Sequence, residues 1–179
     1  MKTVLTVAGS DPSGGAGIQA DIKTITAHGL YATSAITALT VQNTLGVSRV
    51  EPVPVDLVAQ QIDCVVGDIR PDAVKIGMLC NAEIVQAVAQ ALAHGQAECI
   101  VIDPVMISTS GHRLLDQEAV QWMKRKLFPM AQLITPNLPE AEALCGMRVR
   151  DEAEMERAAR LLSDQTGAAV LLKGGHLAK

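Results

Sequence analysis

The sequence predicts an α/β protein of three layers, in which helices cover both faces of a doubly wound, mostly parallel sheet. Six apolar runs of strand length, nearly continuous in Val, Ile, Leu and Ala, alternate with segments of helical periodicity. Continuous apolar runs are typical of strands covered on both faces, and strand–helix–strand repeats of this spacing form right-handed parallel crossovers. The predicted strands are residues 3–8, 33–40, 73–77, 98–103, 132–135 and 168–173.

Capping residues and helix breakers set the bounds of the predicted helices. Asn81 is the predicted N-cap of a helix that ends near Gly95, and Asp116 opens a helix that Pro129 stops. A further helix is predicted over residues 150–165, with acidic residues in its first turn. The remaining helix has its apolar positions at Leu57, Val58, Ile62 and Val66.

Length and composition bound both the domain count and the partners. The chain has 179 residues, 49% of them apolar, which is enough to bury a core without disulfides. No linker, repeat or low-complexity segment interrupts it, so residues 1–179 are predicted to form a single domain. A net charge of -4 and only three aromatic residues argue against a phosphate-backbone or base-stacking surface. No nucleic-acid partner is therefore expected.

The cysteines and the N-terminal segment predict a cytoplasmic protein. The first apolar run is too short to cross a membrane and lacks the flanks of a signal peptide, so no membrane partner is expected. The cysteines form no CxxC pair and have no histidine at metal-ligand spacing, and they are interpreted as buried, small apolar residues in a reducing cytosol. They are Cys64, Cys80, Cys99 and Cys145.

Ligands of such sheets bind where the strands end at their carboxyl edges, which directs attention to the loops that follow each strand. The first of these loops, residues 9–17, carries four glycines between a strand and a helix. Glycine allows close approach of a ligand to the backbone, but the same loop could serve only strand-to-helix geometry. It contains neither GxGxxG nor the P-loop lysine. Asp21, in the helix that follows, could be an ordinary exposed acid.

The next two loops offer amides and apolar groups. Gln42 and Asn43 follow the second strand, where an amide could pair with the edge of a heterocycle because it carries a donor beside an acceptor. Both residues could equally cap their own loop. Met78, in the segment 77–79 after the third strand, could form an apolar pocket wall or simply close the strand.

Carboxylates and a lysine follow the later strands. Asp103 ends the fourth strand, and Asn137 and Glu140 follow the fifth, a set that suits a hydrated Mg2+ held together with substrate phosphates. Asn137 and Glu140 also have the spacing of a helix capping box, and the two roles are compatible. Lys173 could contact a phosphate or lie in solvent. The loops that follow the six predicted strands are residues 9–17, 41–44, 77–80, 103–111, 135–140 and 173–176.

Taken together, six segments closely resemble the hydroxymethylpyrimidine/phosphomethylpyrimidine kinases of thiamine biosynthesis, which belong to the ribokinase-like superfamily. The likeness follows the chain in order over essentially its whole length. The stretch Val-Gln-Asn-Thr at residues 41–44 resembles this family rather than its pyridoxal-kinase-like cousins. The six segments are residues 8–24, 36–44, 75–79, 103–106, 134–141 and 172–176.

The resemblance implies ATP-dependent phosphorylation of 4-amino-5-hydroxymethyl-2-methylpyrimidine, then of its monophosphate to the diphosphate, with ATP as co-substrate, Mg2+ as cofactor and a homodimeric protein. It implies that the pyrimidine is bound by Gly9, Asp21, Gln42, Met78 and Val105. It further assigns the nucleotide to Asn137 and Lys173, and the metal to Asp103 and Glu140.

The resemblance also implies that part of the active site lies outside these residues. Chains of the family continue past the strand ending near residue 176 into a flap and a Gly-Thr-Gly-Cys loop, which supplies the anion hole and the catalytic cysteine. No such motif occurs in residues 1–179, so the C-terminal part of the fold is expected to be missing. The catalytic residues are expected beyond Lys179, and the 179-residue chain alone is expected to be inactive.

Two other functions remain open from the sequence. A pyridoxal-type vitamin kinase of the same superfamily would share the reaction but not the substrate. A non-catalytic paralogue would bind the pyrimidine without transferring phosphate.

Overall fold

The computed structural model describes residues 1–106 and 115–175. Residues 107–111 of the fourth loop and residue 176 of the last segment lie outside this description. Within it, seven strands form one sheet in the order β3-β2-β1-β4-β5-β6-β7. The strands are β1 (Thr3–Ser10), β2 (Tyr31–Asn43), β3 (Gly46–Pro52), β4 (Ala73–Ile76), β5 (Ile100–Ile102), β6 (Ala131–Ile134) and β7 (Ala169–Val170).

Helices connect successive strands of the sheet except β2 and β3, which a short turn joins. The helical segment that begins after Asp116 continues as a π-helical turn at Met123–Leu127 and ends in a 3-10 turn at Phe128–Met130. No helix in the two described stretches is long and apolar enough to cross a membrane. The helices are α1 (Gly17–Ala27), α2 (Val55–Asp68), α3 (Ala82–His94), α4 (Gln117–Trp122), α5 (Leu138–Cys145) and α6 (Glu152–Thr166).

The sheet has the predicted doubly wound, mostly parallel topology. All strand pairs are parallel except β2 with β3. The crossover from β1 to β2 runs in the opposite direction along the sheet from the crossover from β4 to β5. Since both are right-handed crossovers of parallel strands, α1 and α3 lie on opposite faces. Helices α2, α3 and α4 pack against one another in series.

The core lies between the central strands and α3. Strand side chains such as Val7, Ile76 and Ile102 are completely buried, and so are Ile84 and Leu92 of α3. Burying an aliphatic side chain of this size contributes roughly 1.5 to 3 kcal/mol. Alternate residues of β4 point into this core, which leaves the remaining positions of the strand free to face α1 and the cleft.

The antiparallel strand β3 was not predicted. Strand β2 extends to Asn43 and turns directly into β3, whose residues Ser48, Arg49 and Glu51 are exposed. An edge strand with polar side chains lacks the continuous apolar run that identified the other strands. Strand β7 is also shorter than the predicted run of residues 168–173.

The burial predicted for the cysteines is wrong in part. Cys64 and Cys99 are exposed, while Cys80 and Cys145 are half-buried. All four are free thiols. Burial raises the pKa of the Cys80 thiol to about 11, so this group stays protonated near neutral pH.

Candidate functional site

The residues that the resemblance assigns to the pyrimidine line one cleft at the carboxyl edge of the sheet. This cleft, which we call the strand-end cleft, has a volume of about 680 Å3 and lies over the ends of β1, β2 and β4. Cavities of this size hold one small ring compound with its substituents. Its lining includes Gly9, Asp21, Gln42, Met78 and Val105, together with Asp103.

The glycine-rich loop beside the cleft is held in place by Asp11. This side chain is 2% exposed and accepts hydrogen bonds from Ser13 Oγ at 2.7 Å and from the backbone N–H groups of Ser13, Gly15 and Ala16 at 2.8 to 3.0 Å. Burial raises the pKa of the Asp11 carboxyl, but these hydrogen bonds together hold it below its usual value of 3.8. The loop is therefore ordered before any ligand binds.

Close contacts of glycine set the shape of the cleft wall. Gly17, the first residue of α1, has a φ of +56°, and a Cβ at this position would lie 2.3 Å from the carbonyl oxygen of Gly9. A Cβ on Gly9 would lie 2.5 Å from Met78 Cε. The position of Gly17 requires glycine because a Cβ there would collide with backbone, whereas a Cβ on Gly9 would displace the flexible end of Met78.

Asp21 is not the ordinary exposed acid that one interpretation of the sequence allowed. Its side chain is 17% exposed and forms an ion pair with Lys75, whose Nζ lies 2.9 Å from Oδ1 and 2.8 Å from Oδ2. The hydroxyl of Thr6 also donates to Oδ2, at 2.6 Å. The carboxylate of Asp21 is thus fixed on the cleft wall by two donors from the sheet.

The two amides after β2 have different roles in the structure. Asn43 Oδ1 accepts hydrogen bonds from the N–H groups of Leu45 and Gly46, which is the loop-capping role considered from the sequence. Gln42 lines the cleft, and its Oε1 lies 3.3 Å from the hydroxyl of Thr40. Its Nε2 makes no hydrogen bond to any described residue. Gln42 therefore has an amide donor available to a ligand.

A second group of polar side chains lies where β5, β6 and β7 end, and we call it the acid–lysine cluster. It comprises Asp103, Thr135, Asn137, Glu140 and Lys173. Lys173 Nζ lies 2.7 Å from Asp103 Oδ1, and the hydroxyl of Thr135 donates to the same oxygen at 3.1 Å. Asp103 Oδ2 has no hydrogen bond from the described part of the chain. The cluster thus presents one carboxylate oxygen that is available to a cation.

Asn137 and Glu140 form the capping box that their spacing indicates. Asn137 Oδ1 accepts from the Glu140 N–H at 2.9 Å, and Glu140 Oε2 accepts from the Asn137 N–H at 2.8 Å. Glu140 is 3% exposed, and burial raises the pKa of its carboxyl, to which the charge of Asp103 adds. Asp103 and Glu140 are therefore close enough to interact electrostatically.

The acid–lysine cluster fits a magnesium ion only together with ligand oxygens. No group of three or more His, Cys, Asp or Glu side chains that could hold a metal occurs in residues 1–106 and 115–175. Mg2+ commonly binds through one or two carboxylates plus waters and substrate phosphates. Asp103, with its free oxygen, suits that kind of site.

Three functional contacts were not anticipated from the sequence. Asp11 orders the loop, and Thr6 and Lys75 hold Asp21. A signal for Lys75 was present, because a lysine inside an otherwise apolar, doubly covered strand requires a partner. Asp11 and Thr6 gave no comparable signal, since an acid in a turn and a threonine in a strand are common.

Fold and site together first define the class of the protein. The mostly parallel α/β sheet, with a cleft at the carboxyl edge of its strands, is the fold of the ribokinase-like kinases. The chain superposes with a TM-score of 0.91 on phosphomethylpyrimidine kinase from Clostridium difficile, at 45% identity over 100% of this chain and 78% of that one. It also matches pyridoxal kinase from Staphylococcus aureus in complex with AMP-PCP, with a TM-score of 0.87 at 36% identity, over 99% of this chain and 65% of that one.

The sequence comparisons then identify the family. The family model of phosphomethylpyrimidine kinase matches residues 11–179, and the chain belongs to this family. It is 51% identical to the hydroxymethylpyrimidine/phosphomethylpyrimidine kinase of Escherichia coli, over 99% of this chain and 68% of that protein. It is 53% identical to the thiamine biosynthesis bifunctional protein of Geobacter sulfurreducens, over 98% of this chain but 36% of that protein. The chain thus spans about two thirds of single-function relatives and about a third of bifunctional ones.

Proposed function

We propose that the protein carrying this chain phosphorylates 4-amino-5-hydroxymethyl-2-methylpyrimidine with ATP, and then phosphorylates the resulting monophosphate to the diphosphate. The observation that carries the proposal is the strand-end cleft. Asp21, the free amide donor of Gln42, Met78 and Val105 all line this one cleft. An aminopyrimidine offers a ring nitrogen acceptor beside an amino donor, which an amide can match with two hydrogen bonds.

Each cleft residue then has a defined role toward the ring. Gln42 pairs with the aminopyrimidine edge, and the fixed carboxylate of Asp21 accepts a hydrogen bond from a polar substituent. Met78 and Val105 contact the ring with apolar side chains, and Gly9 lets Met78 approach it. This set of contacts orients a neutral ring without aromatic stacking.

The acid–lysine cluster takes the phosphates in this proposal. Lys173 would leave Asp103 to bind a nucleotide phosphate, Asn137 would contact the same nucleotide, and Asp103 and Glu140 would hold the metal. When bound, Mg2+ would neutralise charge on the transferring phosphoryl group. Phosphoryl transfer depends mainly on positioning and charge neutralisation, which are the properties these residues offer. The complex of the Staphylococcus aureus relative with AMP-PCP supports a nucleotide as the second ligand.

A direct assay tests this function against its alternatives. The purified protein is supplied with Mg2+ and ATP and either the pyrimidine alcohol or pyridoxal, and ADP release is measured. We expect kcat/KM to be higher for the pyrimidine. Higher kcat/KM for pyridoxal would identify a pyridoxal-type kinase, whereas binding of the pyrimidine with no ADP release would identify a non-catalytic binding protein.

The 179-residue chain provides a second test. We propose that it binds the pyrimidine, because the strand-end cleft lies within it, but that it does not transfer phosphate, because it contains no Gly-Thr-Gly-Cys loop. Calorimetric binding of the pyrimidine and an ADP-release assay on the homogeneous chain check the two statements separately. Turnover by a preparation of verified intact mass would show that the missing loop is dispensable.

We further propose that the protein works as a homodimer in the cytoplasm. Leu39, Val41 and Leu45, on β2 and the turn that follows it, are 54%, 57% and 90% exposed. A group of exposed apolar side chains of this kind favours association. Light scattering should give a dimer, and Leu45→Glu should shift it toward the monomer. The four free thiols agree with a reducing compartment.

A further inference from the structure

Lys75 occupies an unusual position for a charged side chain. Its neighbours in β4, Val74 and Ile76, are 1% and 0% exposed and point into the core, so Lys75 points to the other face of the sheet. Its side chain is only 29% exposed and lines the strand-end cleft. Burying so much of a lysine is unfavourable unless its ammonium group has a partner.

The sheet register explains how Lys75 and Asp21 meet. Thr6 of β1 is the parallel partner of Lys75 in β4, so both side chains lie on the face that α1 covers. Both donate to the single carboxylate that α1 places there, that of Asp21. Three of roughly four acceptor positions of the carboxylate are then used, which leaves one for a ligand in the cleft.

Gly77 makes room for the ammonium group. It lies two residues after Lys75 and therefore on the same face of the chain, and a Cβ there would lie 3.1 Å from Lys75 Nζ and 3.1 Å from Ala8 Cβ. Without that Cβ, the lysine side chain can bend toward the carboxyl edge of the sheet. The ammonium group thus packs closely over Gly77 and lines the strand-end cleft beside Asp21.

We propose that Lys75 is a positioning and specificity-determining residue, which orients Asp21 and cancels its charge so that one cleft accepts both a neutral pyrimidine alcohol and its anionic monophosphate. The inference rests on the proposed function, since it concerns the two substrates of that reaction. An Asp21 carboxylate without its partner would still accept a hydrogen bond from the alcohol, but it would repel a phosphate bound in the same cleft. At cleft distances, charges in a partly desolvated site interact more strongly than in water.

The test is the ratio of two Michaelis constants of the protein carrying this chain, KM for the monophosphate divided by KM for the alcohol. Lys75→Met keeps the length of the side chain and removes the charge, and we expect both KM values to rise, with the ratio increasing about three- to tenfold. Asp21→Asn leaves the ammonium unpaired and should lower the ratio. The double variant should return the ratio to that of the wild type, with kcat changed much less than KM throughout.

The controls separate this proposal from a purely structural role. Lys23→Met removes another ammonium of the same region, one that donates to the carbonyl of Gly14, and should leave the ratio unchanged. Lys75→Arg retains the charge and should preserve the ratio even if both KM values rise. If Lys75→Met does not fold, the Asp21→Asn variant still tests the proposal, because the KM ratio should fall in it. A ratio that is unchanged in Asp21→Asn, or that does not move in opposite directions in the two single variants, overturns the proposal.

The proposed function fails in a different way from this inference. If the wild type binds neither pyrimidine compound by calorimetry, the proposed function and the role of Lys75 fall together. If the wild type uses both substrates and Gln42→Ala weakens both, while the Lys75 and Asp21 variants leave the ratio constant, only the role of Lys75 is refuted.

Discussion

The strand-end cleft and the acid–lysine cluster are neighbours at one edge of the sheet, yet they are built differently. The cleft lies over β1 and β2, strands of eight and 13 residues, and the carboxylates of Asp11 and Asp21 in its lining are each held by several donors. The cluster follows β5, β6 and β7, of three, four and two residues, and Asp103 keeps one oxygen free beside a lysine that is 44% exposed.

This difference teaches which part of the site is arranged before its ligand arrives. In the cleft, the chain itself satisfies the charges, so a small neutral ligand finds a formed surface and loses little binding energy to reorganisation. In the cluster, a lysine and a carboxylate bind each other, and under the proposed function they separate when phosphates and a cation enter. Substitutions in the cleft should therefore change both stability and binding, whereas those in the cluster should change mainly the response to charged ligands.

The largest expected effect is on binding in the cleft. Gln42→Ala removes the amide that faces the ligand, and we expect kcat/KM for the pyrimidine to fall by about tenfold to several hundredfold, because polar groups of the substrate lose their partner. Steady-state kinetics on the Gln42→Ala variant of the protein carrying this chain measure the change.

Gln61→Ala is the matched control for that substitution. Gln61 accepts from the N–H of Ile36 and donates to its carbonyl, outside the cleft lining. Its removal should lower the free energy of unfolding while leaving kcat/KM within about threefold of the wild type. Equal decreases in kcat/KM for the two substitutions would mean that Gln42 has only a structural role within β2.

The next effect concerns the loop that Asp11 orders. Asp11→Ala leaves three backbone N–H groups without their acceptor, and we expect the free energy of unfolding to fall by about 2 to 3 kcal/mol. Chemical denaturation at pH 7 measures the loss. A change below about 0.5 kcal/mol would show that the loop does not depend on this carboxylate.

The pH dependence of the same contribution has a definite sign. Because the hydrogen bonds hold the pKa of Asp11 below 3.8 in the folded state, its contribution is fully present above about pH 4 to 5. It is lost as the pH falls through the lowered pKa. Asp11→Asn cannot ionise. Its free energy of unfolding should therefore fall less than that of the wild type as the pH is lowered from 5 through the pKa of Asp11. If the free energy of unfolding falls equally with decreasing pH in the wild type and in Asp11→Asn, this expectation is contradicted.

The sequence predicted the framework of the site better than its internal contacts. Strand ends can be located from apolar runs, so Gly9, Gln42 and Asp103 could be placed on one edge, and the Asn137 capping box follows from spacing alone. Strand register is not visible in an apolar run. The meeting of Thr6, Lys75 and Asp21 depends on that register, and therefore only the structure reveals it.

A smaller effect is expected at the capping box. Glu140→Ala removes the acceptor for the Asn137 N–H, and we expect it to lower the free energy of unfolding by about 1 kcal/mol. Glu140→Gln can still accept this hydrogen bond and removes a carboxyl whose pKa is raised by burial, so its stability at pH 7 should match or exceed that of the wild type. If Glu140 also faces the metal, only this variant combines native stability with a higher Mg2+ requirement in the ADP-release assay.

The smallest effect on stability is expected from the ion pair of the acid–lysine cluster. Lys173 and Asp103 are 44% and 29% exposed, and pairs of this kind contribute about 0 to 1 kcal/mol. Lys173→Met should therefore change the free energy of unfolding by less than about 1 kcal/mol while raising KM for ATP about tenfold, because a phosphate loses its cation. Denaturation and ATP kinetics on one preparation check both values. A stability loss as large as that of Asp11→Ala would mean that the cluster is as firmly built as the cleft, and the contrast between a formed binding surface and a ligand-dependent one would no longer hold.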